Sequence, residues 1–242
     1  MTWRPNQFAD APFPEGMIEE IARVLKCHDA LPAGLDSYED VFRSPLMFPL
    51  QRRREMEGMM RLARSVDPKT AVAIGVDKAG DPYHWLKCLK LERFVGIEIR
   101  GTPYGEMLSA AFPETKCLWL GRSSYDDDTL ALVRVFLGGN LIDALFIDGD
   151  KAQFSRDFES YLPLVRRGGI VFMHDVSDAS PGAAFLRAQQ HERVRSSFAF
   201  TSTVEVAESL AREAQGIPAA TAHEGWLRQW RGRSCGVGVL WV

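Results

Sequence analysis

The sequence is poor in cysteine: Cys27, Cys88, Cys117 and Cys235 are the only four, and no two stand at CxxC spacing. That argues against a thiol-rich zinc site or a dithiol redox motif and predicts reduced, mostly buried thiols. Long hydrophobic runs are also missing. None reaches the length of a membrane span, and the N-terminal MTWRPNQFADAPFPEGM has no continuous apolar core of the kind a secretory signal needs, so a cytoplasmic protein is expected. An excess of one charge is absent too. With 29 Lys and Arg against 32 Asp and Glu, the formal net charge is -3. Nothing global draws the chain to phosphate backbones or anionic lipid, and neither nucleic acid nor membrane is an expected partner. Internal repeats, low-complexity tracts and interdomain linkers are likewise lacking.

What is present suits one α/β domain. A chain of 242 residues with 46% hydrophobic residues can bury one substantial core without splitting. A single domain over 1–242 is expected, with a helical cap over 1–66 and a sheet core over 67–242. In the cap, Ile18, Ile21, Val24 and Leu25 recur at helical spacing, and 50–63 continue similarly after Pro49. Short apolar runs at 71–75, 94–99, 117–120, 144–147 and 170–173 then read as buried parallel strands. Helical stretches at 82–91, 104–111, 127–137 and 154–165 separate them. Alternation of this kind predicts a doubly wound, Rossmann-like sheet. Further on, 198–206 is rich in strand-forming residues and 236–242 is a glycine-spaced apolar strand, which together predict an antiparallel last pair. Between them, 207–215 reads as helix and 216–232 as a loop carrying Trp226 and Trp230.

Several strand ends carry chemistry. The first strand runs into Gly75-Val76-Asp77-Lys78-Ala79-Gly80-Asp81, whose small residues let a ligand approach the backbone. Alone, this is equally well a tight strand-to-helix turn. The second strand delivers Glu98, a carboxylate able to accept both hydroxyls of a ribose, or else a solvated acid at a strand end. The third is followed by Arg122, Ser123 and Ser124, either the border of a purine site or an ordinary surface loop. The stretch 142–151 brings Asp148, Asp150 and Lys151 to a strand's carboxyl end, a clustering that rarely serves packing alone. After one helix, the next strand delivers His174 and Asp175 to the same rim. Asp148, His174 and Asp175 can share a divalent cation; the oxygen-rich set favours Mg²⁺ or Mn²⁺, while the imidazole also admits Fe²⁺ or Zn²⁺. A hydrogen-bonded His-Asp cap on the strand is the plain alternative. Lys151, beside such a cation and partly desolvated, would have a lowered pKa and could accept a hydroxyl proton; most lysines are simply solvated.

The order of these elements resembles class I S-adenosylmethionine-dependent methyltransferases. FIDGDKAQFSRDFESYLPLVRRGGIVFMHDV resembles the central segment of two branches, the cation-dependent catechol and caffeoyl-CoA O-methyltransferases and the cephalosporin-hydroxylase-like and macrolide O-methyltransferases. Similarity covers roughly 70–176 and the terminal GVGVLWV. The resemblance implies S-adenosylmethionine as cofactor, with Gly75, Ala79, Gly80 and Asp81 around its methionine part and Glu98 on its ribose. Arg122, Ser123 and Asp148 complete the cofactor-lining set. It implies a cation, Mg²⁺ first, on Asp148, His174 and Asp175, with Lys151 as the catalytic base toward a hydroxyl of a phenolic, sugar or other small-molecule acceptor. Cap helices of such enzymes often pack between subunits, which leaves a homo-oligomer open. Four positions depart from the pattern: Ala73 stands where an acid usually ends the first strand, Ala79 replaces a glycine, Arg122 an acid and His174 a carboxylate.

Three rival readings remain at this stage. A nicotinamide-dependent oxidoreductase shares the glycine turn and ribose acid, and Tyr83 and Lys87 have its acid-pair spacing, but they follow the first turn rather than a later strand. An aspartyl-phosphate phosphatase would use LFIDGDKA as its nucleophile strand, although that strand normally opens the domain. A non-catalytic nucleoside-binding protein of the same fold is the third.

Overall fold

The computed structural model describes residues 49–242 apart from 78–79, 103, 202–203 and 230–234. The cap expected over 1–66 is therefore described only in its last part. There, Met56, Met59, Met60 and Ala63 recur at helical spacing and are buried along one side of α1 (Arg53–Ser65). Unexpectedly, Glu55 is buried on that helix as well.

Five parallel strands follow, β1 (Thr70–Ile74), β2 (Arg93–Ile97), β3 (Lys116–Leu120), β4 (Ile142–Ile147) and β5 (Val165–His174). They alternate with α2 (Gly80–Cys88), α3 (Gly105–Ala111), α4 (Asp127–Leu137) and α5 (Phe154–Tyr161). The chain continues through α6 (Ala179–Ala188), β6 (Ser196–Phe200), α7 (Val204–Ala214), α8 (Ala222–Gln229) and β7 (Val237–Trp241). The strand order is β3-β2-β1-β4-β5-β7-β6, and only β7 runs against the rest. The doubly wound sheet and its antiparallel end are thus as expected.

Successive residues of a strand face opposite sides of a sheet, and the two cores divide accordingly. Ala71, Ala73, Phe94, Phe146 and Phe172 pack with α1, α2 and α3. Val72, Ile74, Val95, Leu145, Val171 and Met173 pack with α4, α5 and α6 on the other face. Burial of every residue of β1 and β4 explains why these strands read as unbroken apolar runs.

Three of the differences from expectation have a local cause. The run 198–206 ends as strand at Phe200, and Val204 already belongs to α7; the β-branched residues there misread a helix start. The expected loop 216–232 contains α8. Its start is a capping box, in which Thr221 Oγ1 accepts the Glu224 N–H at 3.0 Å and Glu224 Oε2 accepts the Ala220 N–H at 2.8 Å. Finally, α5 stops at Tyr161, where Pro163 lies in a 3₁₀ turn over Leu162–Leu164 instead of continuing the helix. Cys88, Cys117 and Cys235 are free thiols, and Cys27 lies outside the described residues. No helix among the described residues is long and apolar enough to cross a membrane.

Candidate functional site

Because β1, β2, β4 and β5 are parallel, their carboxyl ends meet on one rim. Between β1 and β4 the order of the sheet reverses, which is where open α/β sheets form a ligand crevice. A cavity of about 420 Å³ opens there. Gly75, Gly80, Asp81, Glu98, Arg122, Ser123, Asp148, Lys151, His174 and Asp175 all line it. Every site residue anticipated above is thereby brought to one cleft except Ala79, which lies outside the described residues.

The floor is backbone. Gly75 adopts φ +81, and a Cβ on it would fall 2.4 Å from the carbonyl oxygen of Asp148. Only glycine lets β1 and β4 close this tightly beneath a ligand. Glu98 leaves β2 with its carboxylate held by two backbone amides, accepting from Asp77 at 3.3 Å and Arg100 at 3.2 Å. Burial raises its pKa. Ala73, where an acid is common, points instead into the apolar core. A carboxyl is supplied to the cleft by Asp81, at the start of α2. It is buried, its Oδ1 has no hydrogen-bond partner, and burial and then the Asp148 charge raise its pKa well above the usual carboxylate range.

On the β4/β5 side the charges are concentrated. Asp148 Oδ2 accepts from Gln51 Nε2 at 2.7 Å and lies 3.3 Å from His174 Nδ1, which is equally 3.3 Å from Asp175 Oδ1. The other ring nitrogen of His174 faces Glu55 Oε2 at 3.7 Å. Glu55 is fixed by Thr201 Oγ1, which donates at 2.9 Å, and by the N–H of Gly236 at 3.1 Å. Burial opposes charge on both members of the Asp148–His174 pair, yet their attraction prevails. Lys151 first and then His174 hold the aspartate at about 2, while Asp148 and then Glu55 push the imidazole up to about 10. Asp175 itself sits in the left-handed region at φ 56, a conformation uncommon outside glycine and found disproportionately at functional sites.

Lys151 departs from expectation. Its ammonium bridges Asp148 and Asp175, the latter at 2.7 Å. Burial alone would lower its pKa, but the two carboxylates outweigh burial and raise it. In this arrangement Lys151 is a cation and not a base.

The donors of Asp148, His174 and Asp175 fall within 4.8 Å of one another, and neither ring nitrogen of the buried His174 makes a hydrogen bond. Two carboxylates and one imidazole at that spacing fit a hard or borderline divalent cation. The cleft likewise fits a nucleoside cofactor: a glycine floor at a strand end, a carboxylate at the end of the neighbouring strand and hydroxyls beyond it.

Residues 65–176 match the family described as a methyltransferase domain. That segment, which carries β1 to β5, is similar to a methyltransferase domain. No curated protein matches the sequence. Among solved structures, the chain is similar to an O-methyltransferase from Bacillus cereus in complex with S-adenosylhomocysteine, at 15% identity over 97% of this chain and 94% of that one, with TM-score 0.55. It is similar to the O-methyltransferase TomG from Streptomyces achromogenes, in complex with S-adenosylmethionine, at 15% identity over 93% and 90%, TM-score 0.56. The N-methyltransferase NodS from Bradyrhizobium japonicum aligns at 11% identity over 85% and 96%, TM-score 0.52. At these identities the likeness establishes the fold, which hosts both oxygen and nitrogen acceptors.

Several residues at the cleft were given no site role from the sequence. Gln51, Trp226 and Cys235 line the cavity, and Glu55 and Asp157 support residues that do. Glu55 had one visible signal, an acid inside the apolar stripe of α1. Trp226 sits on the overlooked α8, stacked on His223 with ring centroids 5.4 Å apart.

Proposed function

We propose that the methyltransferase moves the methyl group of S-adenosylmethionine to a hydroxyl oxygen of a small phenolic, sugar or other natural-product acceptor. The observation that carries this reading is the convergence of Asp148, Lys151, His174 and Asp175 on the same cleft as Gly75 and Glu98. One group suits the cofactor and the other suits the deprotonation of an oxygen.

In this reading Gly75 and Gly80 lie against the methionine part, with Ala79 in the same turn. Asp81, the buried carboxyl nearest that turn, takes the methionine ammonium. Glu98 accepts the ribose hydroxyls, while Arg122 and Ser123 border the adenine. Transfer is an in-line displacement at the sulfonium carbon, so alignment and exclusion of water are most of the task. Asp148, His174 and Asp175 would hold a divalent cation, with Mg²⁺ the first candidate. When bound, that ion would supply charge to lower the acceptor's hydroxyl pKa and to occupy the carboxylates of Asp148 and Asp175. With those carboxylates occupied, the Lys151 ammonium would release its proton to solvent, and the neutral Nζ would then accept the acceptor's hydroxyl proton. Trp226 covers the cleft and offers an apolar face to the acceptor. The chain acts as a single cytoplasmic domain over 1–242, with 1–66 as its cap, and cap packing between two copies would make a homo-oligomer.

The test is methyl transfer from S-adenosylmethionine to a panel of catechols, sugars and amino sugars, with the methylated atom located by product NMR, with Mg²⁺ and with EDTA. Oxygen-methylated product that requires Mg²⁺ and is lost in Lys151→Met supports the reading. Product that is unchanged by EDTA overturns the cation, and nitrogen methylation overturns the acceptor class.

A further inference from the structure

Only one ring nitrogen of His174, Nδ1, faces Asp148 and Asp175. The other has surroundings that the chemistry above does not use. His174 Nε2 lies 3.7 Å from Glu55 Oε2, beyond hydrogen-bond length. Cys235 brings a third donor, its Sγ: one ligand atom from each of Glu55, His174 and Cys235 falls within 4.8 Å of the others. All three residues are buried, and they come from α1, the end of β5 and the segment before β7. A carboxylate, an imidazole and a thiol gathered from three elements into one buried spot form a mixed donor set that packing alone does not call for.

Each donor is held from behind. Glu55 Oε1 accepts from Thr201 Oγ1 at 2.9 Å and from the N–H of Gly236 at 3.1 Å, and it lies 3.8 Å from Arg52 Nη1, which leaves Oε2 directed at the ring. The Cys235 carbonyl accepts the Ser177 N–H at 3.1 Å and the Gly236 carbonyl accepts the Val176 N–H at 3.3 Å. The backbone that carries the thiol is thereby tied to the turn after β5. Across the ring, Nδ1 stands 3.3 Å from both Asp148 Oδ2 and Asp175 Oδ1. A histidine that gives one nitrogen to a metal ordinarily donates its other N–H to a carboxylate, which fixes the ring. Two ligands of one tetrahedral zinc are about 3.5 Å apart, so the 3.7 Å between Glu55 and His174 needs little closure.

We propose that Glu55, His174 and Cys235 bind Zn²⁺ or another thiophilic divalent cation, at a second site that shares only His174 with the oxygen-rich set of Asp148, His174 and Asp175. Thiolate and imidazole favour such ions over Mg²⁺, and three protein ligands leave one tetrahedral position for water. His174 and Cys235 line the cleft, so an ion in solution has a route to the site. Binding releases two protons to solvent, one from the Cys235 thiol and one from the His174 imidazolium. A neutral imidazole has one lone pair and so serves one ion at a time. With the thiophilic ion on Nε2, the remaining proton stays on Nδ1 and is donated toward Asp148 and Asp175. A hard ion is then left with those two aspartates alone. Nothing in this site depends on which ligand the cleft above it binds.

The experiment titrates the full chain, first stripped with EDTA and dialysed, with Co²⁺ in the presence of excess Mg²⁺, and follows the absorption spectrum. Cobalt bound to a thiolate gives an intense near-ultraviolet charge-transfer band that oxygen and nitrogen ligands do not give. The parent should develop that band at a single equivalent, and Zn²⁺ should abolish it by displacement. In Cys235→Ser the band should be lost. Zn²⁺ affinity, read by competition with a chromophoric chelator, should fall there by at least about hundredfold, since outer-shell partners alone are worth about 10–100-fold. Glu55→Gln should keep the band and weaken Zn²⁺ by at least about tenfold. Asp175→Asn, which removes a ligand of the oxygen-rich set only, should keep the band. A parent without the band, a band that survives Cys235→Ser or one lost in Asp175→Asn overturns the proposal, as does unchanged Zn²⁺ affinity in Glu55→Gln. Should Cys235→Ser fail to fold, Cys235→Ala takes its place.

Discussion

Strands β4 and β5 carry ionised groups at both ends, and the two ends are built differently. At the amino-end rim, Asp143 Oδ2 accepts the backbone N–H groups of Lys69 at 2.7 Å and Thr70 at 2.8 Å, while its Oδ1 pairs with Arg166. Arg166 in turn donates to the carbonyl oxygens of Val66 at 2.8 Å and Arg167 at 3.2 Å. Both carboxylate oxygens there have partners, and the network ties the start of β1 to β4 and β5. At the carboxyl-end rim, Asp81 Oδ1 and Gln51 Oε1 are buried without hydrogen bonds. Buried polar groups left in this state cost stability, so a fold retains them where a ligand completes them. One rim holds the sheet together. The other holds unmet donors and acceptors in position.

That difference can be broken or sharpened by mutation. The largest effect is expected from Asp148→Asn, which should lower methyl transfer by about 10³-fold, the usual scale for losing a group that serves proton transfer. Initial rates with a responsive acceptor measure it, and turnover within tenfold of the parent would remove Asp148 from the chemistry. Next, Asp143→Ala should cost about 3 kcal/mol, because it strands two backbone amides and a guanidinium. Urea denaturation reads that loss, while affinity for S-adenosylhomocysteine stays within about twofold of the parent. Asp81→Asn should do the reverse, changing stability by less than about 0.5 kcal/mol while weakening the cofactor about tenfold. If Asp81→Asn unfolds the protein as readily as Asp143→Ala, the two rims are not different in kind.

The smallest effect is on pH dependence. The folded-state pKa of His174 is raised to about 10 from an ordinary 6.5, so its contribution to stability is complete below about 6.5 and is lost as pH rises through 10. Asp148, held at about 2, contributes above about 3.8, and that share disappears as pH falls toward 2. Melting temperatures between pH 6.5 and 10.5 should therefore decline on the alkaline side, and the decline should shrink in His174→Gln. An unchanged slope in that variant would mean the imidazole is not charged in the fold.

How much of this was legible in the sequence follows from the range of the interactions. The sheet was readable because β1, β4 and β5 are buried on both faces and so appear as apolar runs, and because each run ends in the residue that reaches the cleft, Gly75, Asp148 or His174 with Asp175. Ser124 and Asp157 are 33 residues apart, and their bond has no local signature. Glu55 and His174 likewise meet only once α1 is folded against the end of β5. The ion pairs of Lys151 were out of reach for a related reason: one of its partners is Asp175, across the gap between two strands. By contrast, α8 was missed although a local signal existed, since Thr221 and Glu224 stand at capping-box spacing in what reads as a polar loop.

The most direct test of the central claim, that the carboxyl-end rim is a cofactor cleft, is calorimetry of S-adenosylhomocysteine binding to the intact protein and to Glu98→Ala. Two hydroxyls hydrogen-bonded to one carboxylate should be worth at least about tenfold in affinity. A micromolar dissociation constant that weakens by that factor or more in the variant is the predicted result. Equal binding by the two proteins, or none by the folded parent, would contradict it.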